Sequence, residues 1–315
     1  MTSAGRGGAP RGAASAQRGA RQALGHDTAS VEAAGGAAAK AATTAGAVTG
    51  LFALRREPSR ALGVALGFAG VAGVMVVWAL LTMGEEAFER VISPAVLPSP
   101  GEVLASTGEV FGERALLANI AATLERLLKG FGLAVLIGVP FGVVTGAFRV
   151  LNALAAPLVV FGRNVPVAAL VPLTMLWFGI GEAQKAFFIF IAAVPFVISE
   201  VSKAIMIIPE RYVETAQTLG ASRWQIIRKV LLPHALPDIV TGLRALFGLA
   251  FGYIMLAEAI NASQGLGDLL LKSQRRGDVE LLVYVLLVIG VLAFLIDRLL
   301  LFLQRGFFPH RSDLH

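Results

Sequence analysis

The sequence predicts an all-α integral membrane protein with six transmembrane helices, and three observations carry that prediction. Apolar residues make up 56% of the chain and charged residues 15%, where an ordinary soluble domain carries about 25% charged residues. At a mean hydropathy of +0.73, so much apolar surface does not fit inside one aqueous core. About 18 or more consecutive apolar residues cross the hydrocarbon core as a helix, and Ala61 to Met83 is one unbroken, uncharged run of that kind. Finally, a basic segment precedes this run and an acidic one follows it, matching the bias of Lys and Arg toward cytoplasmic loops.

Composition also excludes several classes of chemistry. With no cysteine, disulfide frameworks, thiolate zinc sites and Cys nucleophiles are ruled out. His26, His234, His310 and His315 are scattered outside the apolar runs and form no metal-binding pattern, so no metal or cofactor is expected on this chain. The net charge of +6 reads as membrane orientation, which makes lipid, and not nucleic acid, the expected partner.

Residues 1–59 are rich in Ala, Gly and Arg and hold almost no large apolar side chains. Burial there cannot offset ordering entropy, so a disordered tail is expected. The first 40 residues lack the apolar core of a secretory signal. Arg6, Arg11, Arg18, Arg21, Lys40, Arg55, Arg56 and Arg60 outnumber Asp27, Glu32 and Glu57, which keeps the tail cytoplasmic. The transmembrane domain is placed at 60–309, leaving 310–315 as a short C-terminal tail.

Span one is Ala61 to Met83. The segment Gly84 to Arg114 carries Glu85, Glu86, Glu89, Glu102, Glu109 and Glu113 against Arg90 and Arg114 and is placed outside. Within it Ser99-Pro100-Gly101-Glu102 reads as a capped helix start, with Ser99 as N-cap, Pro100 first in the helix and Glu102 closing a capping box. Span two runs from about Ala118 to Phe148, entered through Thr123-Leu124-Glu125-Arg126. Leu151 to Gly181 contains Arg163, Pro166 and Pro172, and proline removes a backbone donor and disfavours helix before it. An interrupted span three is therefore expected, its irregular backbone buried in protein or lining a cavity.

A short outer loop, Gly181 to Lys185, leads to span four, about Ala186 to Ile208, where Glu200 and Lys203 share a face and can pair. Span five is about Ile239 to Asn261. The outer loop Ala262 to Glu280 carries Gly265-Leu266-Gly267, and span six is Leu281 to about Leu303. Six crossings put both termini on the cytoplasmic face of the plasma (inner) membrane. No internal repeat is visible.

The polar stretch Tyr212 to Gly242 then falls inside. Tyr212 to Leu219 favours helix, Gly220 can close it in the left-handed conformation, and Ser222 caps a second helix with Gln225 completing a capping box. In that helix Trp224, Ile227 and Leu231 share one face, and Pro233 and Pro237 end it. Periodicity alone leaves open a plain cytoplasmic loop held by its own helices.

The order of residue types goes further. Glu214-Thr215-Ala216, Gly220-Ala221, Leu232-Pro233, Pro237 and Thr241-Gly242 resemble the EAA coupling motif of binding-protein-dependent ABC importer permeases. Leu97-Pro98-Ser99-Pro100, Val165-Pro166, Pro172-Leu173, Leu176 to Gly181, Glu258-Ala259-Ile260 and Gly265-Leu266-Gly267 look like the subgroup that moves nitrate, sulfonates, taurine and related small solutes. The resemblance covers roughly residues 61 to 309. Thr215 stands where the family usually has Ala, and Phe307-Phe308-Pro309 is followed by His310 where Trp is common.

The resemblance implies the type I (MetI-like) importer fold and a division of labour. The chain has no G-x-x-x-x-G-K phosphate cradle, so a separate cytoplasmic ABC ATPase would use ATP and Mg. Glu214, Thr215, Ala216, Gly220 and Ala221 would form the coupling segment that docks on it. The permease would work as a homodimer, and a periplasmic or lipid-anchored solute-binding protein would dock outside. Candidate pathway residues are Arg163 and Asn164, at the break in span three, and Glu258 and Asn261, near the outer end of span five. Arg163 favours an anion if it lines the route; it could equally snorkel to an interface or pair for structure. Glu258 and Asn261 could gate the route or form a docking surface, or be satisfied polar caps. An ion-coupled carrier or channel working without ATP is the alternative class; it would show more ionisable groups deep in its spans. A membrane-embedded enzyme would need a His, Cys or paired-carboxylate site in the spans, and none is visible.

Overall fold

A computed structural model describes residues 59–84, 89–112 and 115–308. The expected tails, 1–59 and 310–315, lie outside the described residues except for Ser59, as do Glu85, Glu86 and Glu113 of the acidic segment. The chain divides into two units, residues 1–74 and 75–315. The described part of the first is the start of helix α1, Arg60–Leu81, whose small and branched apolar residues are exposed. This helix is span one.

In the second unit, α2 (Pro100–Ala105) opens on the predicted capping box: the Glu102 amide donates to Ser99 Oγ at 3.3 Å and the Ser99 amide to Glu102 Oε2 at 2.7 Å. Arg90 grips the same carboxylate with Nη1 at 3.0 Å and Nη2 at 2.7 Å. Next come α3 (Thr107–Gly112), α4 (Leu116–Ala147), α5 (Arg149–Asn164), α6 (Val167–Phe178) and α7 (Glu182–Met206). They are followed by α8 (Glu210–Thr218), α9 (Arg223–Ile226), α10 (Leu232–Asn261), α11 (Leu266–Arg276) and α12 (Val279–Phe307). All regular elements among the described residues are helical. Five helices are long and apolar enough to cross a membrane, and α5 with α6, bent by 97° at the break, makes a sixth when counted as one broken span.

The centre of the unit is the pair α4 and α7. Gly130, Gly138, Gly142 and Gly146 form, with Ala134, a row of small residues on α4. A Cβ on each glycine would lie 2.6 Å from Ile189 Cβ, 2.7 Å from Val197 Cγ1, 2.6 Å from Val201 Cβ and 2.7 Å from Ile205 Cβ respectively. Each partner lies the same number of residues further along, so the helices run parallel in one register with backbone against side chain, as small residues permit in membrane helices. Parallel neighbours need a crossover, and α5–α6 supplies it. On α10, Phe247 meets Phe131 of α4 edge to face at 5.3 Å.

The crossover does not retrace α7 evenly. Asn152 Nδ2 donates to Ser202 Oγ at 3.0 Å, Arg163 Nη1 to Ser199 Oγ at 2.9 Å, and a Cβ on Gly162 would lie 2.7 Å from Pro195 Cγ. Nearly the whole of α5 thus covers only Pro195 to Ser202 of α7, so it crosses obliquely near the C-terminal end of α7. After the bend α6 climbs the rest, and Gln184 Nε2 at the start of α7 donates to Thr174 Oγ1 at 2.8 Å.

Three expectations need correction. Pro233 and Pro237 do not end the second helix of the polar stretch: a π-helical turn, Ile227–Leu231, joins α9 to α10. There the Leu232 amide donates to Ile227 O, five residues back, and this wider turn accommodates the proline that follows. The expected outer loop 262–280 is largely helix α11, and the expected loop 181–185 is mostly the first turn of α7.

Candidate functional site

The coupling segment closes as its residue types require. At the end of α8, Gly220 takes φ +78°. Its amide donates to Gln217 O at 2.9 Å and the Ala221 amide to Ala216 O at 3.0 Å, the paired bonds of a Schellman cap. One residue later the Ser222 amide donates to Gln225 Oε1 at 2.8 Å and the Gln225 amide to Ser222 Oγ at 3.4 Å. Two helix ends are thereby satisfied back to back, which makes the α8–α9 corner stiff. The Tyr212 and His234 rings, 5.0 Å apart, tie α8 to the start of α10.

The faces of this corner differ. Ala216, Ile226, Ile227 and Leu231 are buried and Ala221 is half-buried, while Glu214, Thr215 and Gly220 are exposed. Leu219 is 82% exposed and Trp224 60%. Trp224 does not share the buried face with Ile227 and Leu231 as expected; the helix starts at the Ser222 cap and Ile226 takes the inward place. Thr215 turns its hydroxyl onto its own helix, donating to Arg211 O at 2.7 Å, and so spends no donor on its surroundings. A cleft of about 700 Å³, lined by Gly146, Asn152, Ile208 and Val213 among others, separates α8 from the α4–α5 corner.

At the other end of α4, α7 and α10 lies a buried ionic node. Glu258, with no exposure, accepts from Thr123 Oγ1 at 2.9 Å, Arg126 Nη1 at 2.7 Å and the Gly267 amide at 3.0 Å. Arg126 also donates from Nη1 to Gln264 O at 2.6 Å, from Nη2 to Glu182 Oε1 at 2.8 Å and from Nε to Glu182 Oε2. Lys185 Nζ completes the charge balance on Glu182 Oε1 at 2.9 Å. Asn119 Oδ1 accepts from the Gly265 amide at 2.7 Å and Thr123 Oγ1 from the Leu266 amide at 2.9 Å. These bonds clamp the Gly265-Leu266-Gly267 turn. Gly265 has φ +132°, and a Cβ there would lie 2.5 Å from the Glu258 carboxylate.

Of the pathway candidates, Glu258 is therefore enclosed within the chain. Asn261 ends α10, and its side chain lies outside the described residues. Arg163 is half-buried and Asn164 exposed beside it, its Nδ2 donating to Val160 O at 2.8 Å. Glu200 and Lys203 pair at 2.9 Å. Arg126 is the residue that the candidate sites omit; its signal was a charge at the entry to an apolar span.

Comparison with known proteins agrees with this architecture. The family described as binding-protein-dependent transport system inner membrane component matches residues 138–312. The taurine transport system permease protein TauC of Escherichia coli K12 is 32% identical over 260 residues, covering 81% of this chain and 92% of that protein. The bicarbonate transport system permease protein CmpB of Synechococcus elongatus is 29% identical over 257 residues, covering 77% and 89%. A solved structure of the MetNI methionine ABC transporter in inward-facing conformations matches with a TM-score of 0.56 and 27% identity, covering 61% of this chain and 95% of that one.

Proposed function

The chain belongs to the family of binding-protein-dependent transport system inner membrane components, and from that premise we propose how its two ends divide the work. It is the permease subunit of an ATP-driven importer, a membrane-embedded transport component with an ATPase and a solute-binding protein as its family partners. An ATP-independent carrier is not favoured.

The α8–α9 corner is the surface that enters a groove on the ATPase: Glu214, Thr215, Gly220 and the half-buried Ala221 face it, whereas Ala216, also expected there, packs inward and supports the corner from beneath. The observation that carries this is its construction: a Schellman cap and a capping box stiffen it while Glu214, Leu219 and Trp224 stand exposed. ATP and Mg act on the partner, and this chain lends no nucleotide site. When two ATPases close around ATP, displacement of α8 passes through α9 and the π turn into α10, which packs on α7. Because the glycine row locks α7 to α4, and the Arg126 node fastens α4, α7 and α10 at their far ends, the three move as one body.

A single chain supplies half a route, so two copies related by a twofold axis complete it. The α8 end faces the cytoplasm with both termini, and the α11 end meets the solute-binding protein. The solute is a small oxyanion or sulfonate of the nitrate, bicarbonate or taurine kind. Replacing Gly220 with Arg tests the coupling surface: a Cβ there meets nothing within 4 Å, so the new side chain projects onto the exposed face, at a backbone cost of about 1–2 kcal/mol for a side chain held at φ +78°. Loss of ATPase co-purification with the permease still folded in the membrane is the expected result. Retained complex and retained ATP-dependent uptake would refute the assignment.

A further inference from the structure

Arginines that reach into the packed parts of the second unit are matched by carboxylates, with one exception. Arg90 has Glu102 at 2.7 Å, Arg126 has Glu182 and Glu258, and Arg244 Nε has Asp297 at 3.1 Å. Arg163 has no carboxylate partner among the described residues. Its Nη1 donates to Ser199 Oγ at 2.9 Å, its guanidinium lies over the Phe196 ring at 5.3 Å, and its Nε is buried with no hydrogen-bond partner.

Its position makes the omission informative. Arg163 lies in the last turn of α5, and four residues on α6 begins with no side-chain cap on its first amides. The guanidinium of Arg163 and the positive end of the α6 dipole thus flank the same 97° bend. The contacts with Pro195 and Ser199 put this bend against the inner half of α7, well inside the span. A charge at that depth is costly without a counter-charge. The Phe196 ring and the C-terminal dipole of α5 ease that cost, but neither satisfies Nε. Broken helices with a half-helix N-terminus aimed at an anionic group are a recurrent way for membrane proteins to hold solute.

We infer that Arg163 is the anion-contacting residue of the transport route: a small oxyanion supplies the counter-charge the fold omits, its oxygens accepting from the open Nη end of the guanidinium while Nε stays enclosed. Ser199 orients the fork from Nη1, and Asn164 stands exposed beside it at the break. This rests on the importer reading above and names the part of the chain that meets the solute.

The test uses the permease assembled with its ATPase and solute-binding protein in proteoliposomes, with labelled taurine, bicarbonate and nitrate as probes of ATP-driven uptake. In Arg163→Met, uptake of each probe that the unaltered complex moves should fall about ten- to hundredfold, the range for losing a charged hydrogen bond. Co-purification and binding-protein-stimulated ATP hydrolysis should persist. Arg163→Lys, which keeps the charge and loses the fork, should fall between. Should Arg163→Met fail to assemble, Arg163→Gln, which keeps a donor toward Ser199, decides by the same uptake. Unchanged uptake in an assembled Met or Gln variant overturns the inference and leaves the importer reading intact. Uptake confined to uncharged solutes by the unaltered complex overturns it together with the solute assignment. A chain that never associates with an ATPase refutes the coupling assignment itself.

Discussion

Arg126 and Glu258, 132 residues apart in the sequence, meet at 2.7 Å in a fully enclosed site where three membrane helices and the Gly265-Leu266-Gly267 turn converge. Neither group could be left there alone. Arg126→Met should destabilise the permease by about 3–5 kcal/mol, because it strands a buried carboxylate. The double change Arg126→Met with Glu258→Met should recover most of that loss. Unfolding midpoints of the purified permease measure both. Glu182 is itself exposed, but it balances Lys185, whose side chain is only 3% exposed, so Glu182→Ala leaves a buried ammonium without its carboxylate and should also cost about 3 kcal/mol or more.

The turn clamped by this node should tolerate no added atom. Gly265→Ala meets the Glu258 carboxylate at 2.5 Å in a backbone with φ +132°, so a loss of about 1–3 kcal/mol or more is expected from overpacking and strain together. Gly252→Ala, with nothing within 4 Å, should be neutral or gain about 0.5–1 kcal/mol. Equal midpoints for the two variants would contradict the clamp.

The glycine row makes a similar contrast within one helix. Gly138→Ala drives a methyl to 2.7 Å from Val197 Cγ1, whereas Gly132 faces open space. Gly138→Ala should lower the midpoint by the equivalent of about 1–3 kcal/mol, and Gly132→Ala should not. Disulfide trapping at paired positions on α4 and α7 would report any change in register.

Acid should loosen the α2 cap. The Arg90 guanidinium, with help from the Ser99 amide, holds the Glu102 carboxyl at about 2, below its ordinary 4.5. A depressed carboxyl contributes stability that is complete above 4.5 and lost as pH falls toward about 2. Trp78 reports on this segment, since its Nε1 donates to Pro98 O at 2.9 Å. With Trp177 and Trp224 replaced by Phe, Trp78 fluorescence should change across that window, and the change should vanish in Glu102→Gln.

Much of this was legible in the sequence, and what was not has physical causes. The spans followed from runs of apolar residues, and the reciprocal caps at Ser99 with Glu102 and at Ser222 with Gln225 followed from residue spacing, because both are local. Gly220 was likewise readable as a left-handed helix end. Continuity through Pro233 and Pro237 was not, since the π turn that permits it depends on burying Ile227 and Leu231 in the core. The short helix α11 hid behind its charged residues, and its docking depends on Asn119 and Thr123, more than 140 residues earlier. Glu258 was legible as a polar group in a span, but its partner was not, because a charge announces only that a partner must exist.

The ATPase contact proposed for the α8–α9 corner can be read by chemical labelling. The chain contains no cysteine, so single cysteines at Leu219 and, as a control at the α11 end, at Lys272 can be mapped without background. The measurement is the rate of maleimide labelling in the membrane, with and without the bound ATPase. ATPase binding should protect Leu219→Cys strongly and leave Lys272→Cys unchanged. Equal labelling of Leu219→Cys in a complex that demonstrably contains the ATPase would contradict the account.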